Sequence, residues 1–314
     1  MAREDNEDKE RSFVRIDLQT RVVRMDEATR MVWFELRPDP RRYEEGQSGG
    51  EKVWIDKYTG DAFTEDVWRR TAPKLEELPL SHLPRHIDDA AAYAASRQQA
   101  LRIEMETGQH IPPAEALPPH APLAATPDTR QMTFLSVDIC GSTVMRAKDA
   151  DSFSRCFEIL FRELAIVVAQ FSGKVFKATG DGLIDYLDAP SINTQCDAAV
   201  DMGLTFLRVL NEAVNPALLE AKLSSIAIRV GAEHGKAMVN VLAVPSIGYS
   251  TADISSDALN RAVKVEGTCA ANTFRIGEAL YKRVHVQWLE RAHQCVDDIS
   301  ADVGLADYKI YEVV

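Results

Sequence analysis

Residues 134–143 read FLSVDICGST: a short apolar run that ends in an aspartate, Asp138, and turns at once through Gly141 into two hydroxyl residues, Ser142 and Thr143. The run predicts a strand, and the glycine with small polar residues predicts a tight turn into a helix. A second aspartate, Asp181, stands between two glycines in KATGDG (177–182), at a predicted hairpin turn. Carboxylates at the tips of two neighbouring strands make a shared oxygen site for a hard cation such as Mg²⁺. The turn after Asp138 offers backbone N–H groups to a phosphate, helped by the start of the following helix. Cation and phosphate cradle together point to phosphoryl chemistry by a two-metal route. Read singly, each aspartate serves equally well as a turn former or helix cap. No Walker loop and no G-x-G-x-x-G is present.

Outward from that stretch, the pattern divides the chain. Residues 1–10 are a charged tail, expected to be disordered. Residues 11 to about 70 are rich in β-branched and aromatic residues with partial alternation, as in SFVRIDLQTRVVRM and EKVWIDKYTG, and read as strands. A helix is expected from about His86 to Met105, so a small β-rich domain with one helix spans 11–107. A proline-rich run from Pro112 to Pro127 makes 108–130 a stiff linker and the expected domain boundary. Residues 131–314 then alternate. The run MTFLSVDI is a strand, and Phe153, Phe157, Leu160, Leu164, Val168 and Phe171 mark a helix over 152–171. KVFKATGDGLIDYL is a hairpin, and Cys196, Val200, Gly203, Leu207 and Leu210 mark a second helix over 191–214. SSIAIRVGAEHGKAMVNVLAV reads as two strands, followed by a helix near 255–267 and a last strand, YKIYEVV. The order predicts an α+β, ferredoxin-like sandwich.

The 314 residues carry a net charge of −12, which disfavours nucleic acid and anionic lipid as main partners. The five cysteines, Cys140, Cys156, Cys196, Cys269 and Cys295, are scattered and odd in number, as in reduced cytoplasmic proteins. No apolar run has the length of a membrane span, and the charged N-terminus has no signal-peptide core. The seven histidines show no zinc spacing; His82 and His86 are separated by Pro84, which argues against a shared helical face.

Two further segments, IAIRVGAEHGKAM (226–238) and ADISSDALNRAVKVEGT (252–268), follow in order. Together the four segments resemble the catalytic domain of class III nucleotide cyclases, the adenylate and guanylate cyclase superfamily, over roughly residues 130–314. The resemblance implies that Asp138 and Asp181 hold two Mg²⁺ or Mn²⁺ ions per site, with the carbonyl of Ile139. It places Gly141, Ser142 and Thr143 under the triphosphate. Lys177 and Asp253 match the base-reading positions, Asn260 the asparagine that orients the ribose, and Lys264 the usual arginine that stabilises transition-state charge. Asn260 and Lys264 are four apart and share a helix face, with Leu259, Ala262 and Val263 as the adjacent packing stripe. A lysine lacks arginine's bidentate fork. The lysine–glycine pair that many members carry near the C-terminus is not reproduced by DVGLADYKIY.

The resemblance implies cyclisation of a nucleoside triphosphate to a 3′,5′-cyclic nucleotide and pyrophosphate. It also implies a head-to-tail homodimer, each site taking its aspartates from one subunit and its asparagine and cation from the other. Lys177 donates and Asp253 accepts, a pair that excludes no base by hydrogen-bond type. In adenylate cyclases this Lys/Asp pair is common. The loose third and fourth motifs on a chain without a sensor module or anchor resemble the pyrimidine cyclases of bacterial anti-phage Pycsar systems. Those make cyclic UMP or CMP for a separate effector. The expectation is therefore a uridylate cyclase ahead of a cytidylate one. Adenylate cyclase is the close alternative, and a catalytically dead nucleotide-binding regulator or a partner-binding scaffold the readings from other classes.

Overall fold

The structure, a computed structural model, describes residues 15–26, 31–67, 87–114, 117, 119–295 and 304–314. The expected tail at 1–10 and the pair His82 and His86 lie outside them. The chain divides into two units, Met1–Leu78 and Pro79–Val314.

The first unit is built of strands, as its β-branched and aromatic runs predict. Strands β1 (Leu18–Asp26) and β2 (Met31–Pro38) form one antiparallel pair, and β3 (Tyr43–Ser48), β4 (Glu51–Asp56) and β5 (Ala62–Thr64) a three-stranded meander. Its interior is partly ionic. The buried Arg42 guanidinium meets Asp17 at 2.9 Å and Asp56 at 2.7 Å, and the Tyr43 hydroxyl donates to the Arg15 carbonyl at 2.8 Å. So small a unit has little apolar area to bury, and these paired charges occupy its centre.

The second unit opens with helix α1 (Ala90–Thr107), capped by the Asp89 carboxylate and ended by Gly108 in the left-handed region. This helix corrects the expected division at the proline run. Buried Arg97 forks onto buried Glu163, with both N–O distances 2.8 Å, and also donates to the Ile111 carbonyl. A charge pair so buried fixes its two elements together, so α1 belongs with the C-terminal unit. The proline run therefore lies inside that unit.

Next come β6 (Asp128–Ile139), α2 (Ser142–Lys148), α3 (Ala150–Gln170), β7 (Lys174–Ala178) and β8 (Gly182–Leu187). Helix α4 (Ile192–Val209) runs through a π turn at Leu210–Val214 into α5 (Asn215–Glu220). Strands β9 (Ile228–Val244) and β10 (Tyr249–Ser255) precede α6 (Asp257–Gly267), and β11 (Thr273–Gly277) follows. Short helices α7 (Glu278–Tyr281) and α8 (Val286–Leu289), then β12 (Ala292–Gln294) and β13 (Ile310–Val313), complete the order. The sheet runs β12-β13-β11-β9-β6-β8-β7, with β10 paired to the far half of β9. Only β9–β11 is parallel. The α+β expectation is met.

Residues 224–244, read as two strands, contain one. β9 pairs with β6 over Ile228–Val239, and its last residues, Met238–Val244, pair with β10. Gly231 and Gly235 interrupt the apolar run as turn residues would, but here they make room. A Cβ on Gly231 would stand 2.2 Å from the Glu266 amide nitrogen, so α6 lies directly on the strand. The stripe α6 buries is Ala258, Ala262 and Val265; Val263, expected to pack, is exposed. Ala258 and Ala262 close a cluster with Met132, Phe134, Tyr186, Val239 and Ile254.

Candidate active site

The central strand β6 is buried from Met132 to Val137, and its run of large apolar residues suits a position with neighbours on both sides. Asp138, half-exposed, is the residue at which that buried run ends. Directly across stand Gly182 on β8 and Arg229 on β9. Gly182 is required there, because a Cβ would sit 2.2 Å from the Val137 carbonyl oxygen. Gly180 takes φ +94, in the region that favours glycine. Between these two glycines Asp181 is brought beside Asp138, and the Ile139 amide donates to the Asp181 carbonyl at 3.2 Å. Gly141, at φ +68, turns the chain into α2.

Ser142 is buried, and its Oγ donates to Asp181 Oδ2. Its side chain is thus engaged with the Asp181 carboxylate. Thr143 is exposed. About 400 Å³ of space opens beside them, lined by Ser142, Thr143, Arg146, Thr179, Gly180 and Asp181. Arg146 donates to the Gly180 carbonyl at 3.3 Å, which holds its guanidinium at the edge of this space.

Three charged neighbours of the pair escaped the sequence reading: Arg146, Arg229 and Glu266. Arg229 Nη2 donates to Asp138 Oδ2, and its Nε lies 3.0 Å from Glu266 Oε1. Burial, with the Asp138 and Asp181 charges nearby, pushes the Glu266 carboxyl up to about 7 against the pull of Arg229. The available signal was a charge placed where the pattern called for an apolar residue: Arg229 inside an apolar strand, Glu266 on the packed face of a helix.

The other matched residues stand apart. Asn260 and Lys264 lie exposed on α6, and Lys264 Nζ donates to the Gly304 carbonyl at 3.3 Å. Asp253 on β10 faces Asn240 across the hairpin. Lys177 is exposed on β7, just after a bulge between Val175 and Lys177, with Nζ 5.0 Å over the Phe176 ring. None of these four hydrogen-bonds or ion-pairs with Asp138 or Asp181.

The donor set suits a hard divalent ion. Two carboxylates converge, and the place against Asp138 is already taken by a cationic guanidinium. Among the described residues no group of three or more His, Cys, Asp or Glu side chains is arranged to hold a metal. The protein's share is therefore two carboxylates, with backbone, substrate and water oxygens left to fill the rest, as Mg²⁺ and Mn²⁺ accept and Zn²⁺ rarely does. Among the described residues no helix is long and apolar enough to cross a membrane.

Comparison with known proteins bears on this site. The family described as "Adenylate and Guanylate cyclase catalytic domain" matches residues 125–304, more than half the chain. The fold is similar to that of the adenylyl cyclase CyaB from P. aeruginosa, with TM-score 0.53 and 17% identity over 60% of this chain and 96% of that one. It is similar also to the guanylyl cyclase Cya2, with TM-score 0.50 and 20% identity over 59% and 92%. A third likeness is to the guanylate cyclase domain of RhGC from Catenaria anguillulae in complex with GTP, with TM-score 0.50 and 18% identity over 60% and 98%. No curated protein matches the sequence. The paired strand-end aspartates, the mixed sheet that presents them and the match over 125–304 place this chain in the adenylate and guanylate cyclase catalytic domain family, as a class III nucleotide cyclase.

Proposed function

We propose that this cyclase is a pyrimidine cyclase, converting UTP to cyclic UMP and pyrophosphate, and that it acts as a homodimer with shared sites. The observation that carries the catalytic half is the placement of Asp138 and Asp181 at adjoining strand ends, with Asp181 at a cavity that has a basic edge. Bound Mg²⁺ or Mn²⁺ supplies charge for the triphosphate and lowers the pKa of the attacking ribose 3′-OH. Asp138 and Asp181 hold that charge in place, with the Ile139 carbonyl beside them. Ser142 orients Asp181. Thr143 and Arg146 line the space for the phosphates, and Gly141 turns the chain into it.

Asn260 and Lys264 of the partner subunit orient the ribose and meet the charge that develops on the phosphate. Their exposure on α6, without contact to this chain's own aspartates, supports that division. The β9–β10 hairpin supports a second copy as well: Met238, Leu242, Val244, Ile247 and Tyr249 are all exposed, a patch that a protein–protein contact would cover. Lys177 donates to O4 of uracil and Asp253 accepts from its N3–H. The product then signals to a separate effector that binds cyclic nucleotide, in a bacterial antiviral response inside the cytoplasm; this part rests on the resemblance to anti-phage cyclases.

The test is a competition among four nucleoside triphosphates at equal concentration with Mn²⁺, products resolved by mass. Cyclic UMP is expected to dominate, and Asp138→Ala or Asp181→Ala to abolish it. Dominant cyclic AMP assigns the enzyme to adenylate and overturns the pyrimidine reading. No product from any nucleotide favours a nucleotide-binding regulator.

A further inference from the structure

Arg229 is placed by three independent features. Its strand position faces Asp138 on β6. Its guanidinium reaches Asp138 Oδ2 through Nη2 and approaches Glu266 Oε1 at 3.0 Å through Nε. And Glu266 is held against it, because Gly231, two residues along β9, lets the α6 backbone touch the strand at Ala262 and Glu266. One cation is thereby divided between two carboxylates on different elements. One of them is the first metal aspartate; the other sits on the helix that carries Asn260 and Lys264.

We propose that Arg229 and Glu266 form a positioning relay for cation loading: Arg229 occupies Asp138 in the empty site, and Glu266 draws it off when a divalent ion takes its place. The inference rests on the cation site proposed above. A guanidinium and a metal ion compete for the lone pairs of Asp138 Oδ2, so that oxygen is fully available to the ion only when Arg229 has somewhere else to go. Glu266 is that place, because its Oε1 already stands 3.0 Å from the guanidinium Nε. The arrangement also offsets part of the cluster's negative charge before the metal arrives. Without it, Asp138, Asp181 and Glu266 would face one another with nothing to offset their repulsion. After loading, Arg229 neutralises Glu266 and holds α6 at a fixed distance from β6. Both residues are positioning residues; neither needs to touch substrate.

The relay makes opposite predictions for its two members. Glu266→Gln removes the acceptor's charge, leaves Arg229 on Asp138, and weakens Mn²⁺ binding by about tenfold, the scale of coupling between contacting charges. Arg229→Gln removes the competitor and leaves Mn²⁺ binding as tight as in the parent or tighter, while kcat falls because Asp138 and α6 lose their common anchor. Simple field effects would also give opposite signs, so the double variant decides. In the Arg229→Gln background, Glu266→Gln is expected to change Mn²⁺ affinity by less than about twofold, because its influence runs through the guanidinium.

The measurement is Mn²⁺ titration of the full chain without nucleotide, followed by electron paramagnetic resonance of free Mn²⁺, with Asp138→Ala as the blank. Circular dichroism melting reports which variants are folded. Should Arg229→Gln not fold, Arg229→Lys enters the cycle, since a single ammonium cannot span both carboxylates. If Glu266→Gln costs as much in the Arg229 variant as alone, or if Arg229→Gln weakens Mn²⁺ binding, the relay is overturned and the cation site stands. If the wild-type chain binds no more Mn²⁺ than the blank, the cation site and the relay fall together.

Discussion

Single side chains set the chemistry at the strand ends. Ser142 is the sharpest case: its hydroxyl is spent on Asp181 rather than presented to a ligand. A hydrogen bond to a charged group contributes about 1.5–3 kcal/mol. Ser142→Ala is accordingly expected to lower kcat/KM by roughly ten- to hundredfold, with the loss partly recovered at high Mn²⁺, as initial rates over a metal series will show. A second residue governs the response to acid. His234 is buried, with Nδ1 2.8 Å from Thr133 Oγ1, and burial, aided by the Arg283 charge, pulls its pKa down to about 3. Unfolded, it titrates near 6.5. Below that pH the unfolded chain takes up a proton that the folded one refuses, so stability is fully present above about 6.5 and is lost as pH falls toward 3. Between pH 6.5 and 5 this histidine's share of the loss is about 2 kcal/mol; Glu266, whose carboxyl is pushed up to about 7, acts in the opposite sense over the same window. Urea unfolding of the parent and of His234→Gln at the two pH values will measure the histidine's share as the difference between their pH responses. Identical pH responses of parent and variant would remove this account. The aspartates could be picked out of the sequence because glycines and apolar runs frame them. Arg229 and Glu266 could not, because an isolated charge in a strand or helix reads as solvated until the neighbouring element is known.

At the level of elements, close backbone approach decides the register. Gly231 admits α6 onto β9, with Ala262 O and Glu266 N both within 2.5 Å of where a Cβ would be. Backbone atoms cannot yield as a side-chain tip does. Gly231→Ala is therefore expected to destabilise the protein by about 3 kcal/mol, the upper part of the usual range for overpacking. Thermal melting will report it, together with a loss of cyclase activity as α6 lifts from the sheet. The same contact explains why the amphipathic stripe on this helix was misjudged. Ala262 packs as expected, but the strand meets the helix along Ala258, Ala262 and Val265, and Val263 is left outside. The segment 224–244 shows a related limit. Glycine inside a strand has the same local signature as glycine in a turn, and only the helix lying above it distinguishes the two.

For the whole molecule, the question is how many chains complete a site. Asp138 and Asp181 stand at adjoining strand ends, whereas Asn260 and Lys264 stand exposed on α6. Mixing inactive Asp138→Ala with inactive Asn260→Ala is expected to restore up to about a quarter of parental specific activity. With random pairing half the dimers are mixed, and each mixed dimer rebuilds one of its two sites. A coupled pyrophosphate assay checks this, with subunit exchange verified by native mass spectrometry. Continued inactivity after exchange would refute shared sites. The exposed hairpin makes a companion prediction: Leu242→Glu with Ile247→Glu should shift the protein to monomer in light scattering, with activity falling in step.

The sequence alone determined the elements over 131–214 and the resemblance to the family. Apolar periodicity over 131–214 marks strands and helices wherever one face is buried, and the glycine-flanked aspartates are local signals that need no partner to be read. It did not determine where the first unit ends. Helix α1 has no strong amphipathic stripe of its own, and its place follows from Arg97 meeting Glu163 sixty-six residues away. Nor did it determine what surrounds the aspartates. Ser142, Arg229 and Glu266 gather there from the turn after β6, from β9 and from α6. Charges brought together by strand register and helix docking leave no trace in the order of residues, because the distance that couples them exists only once the sheet has formed.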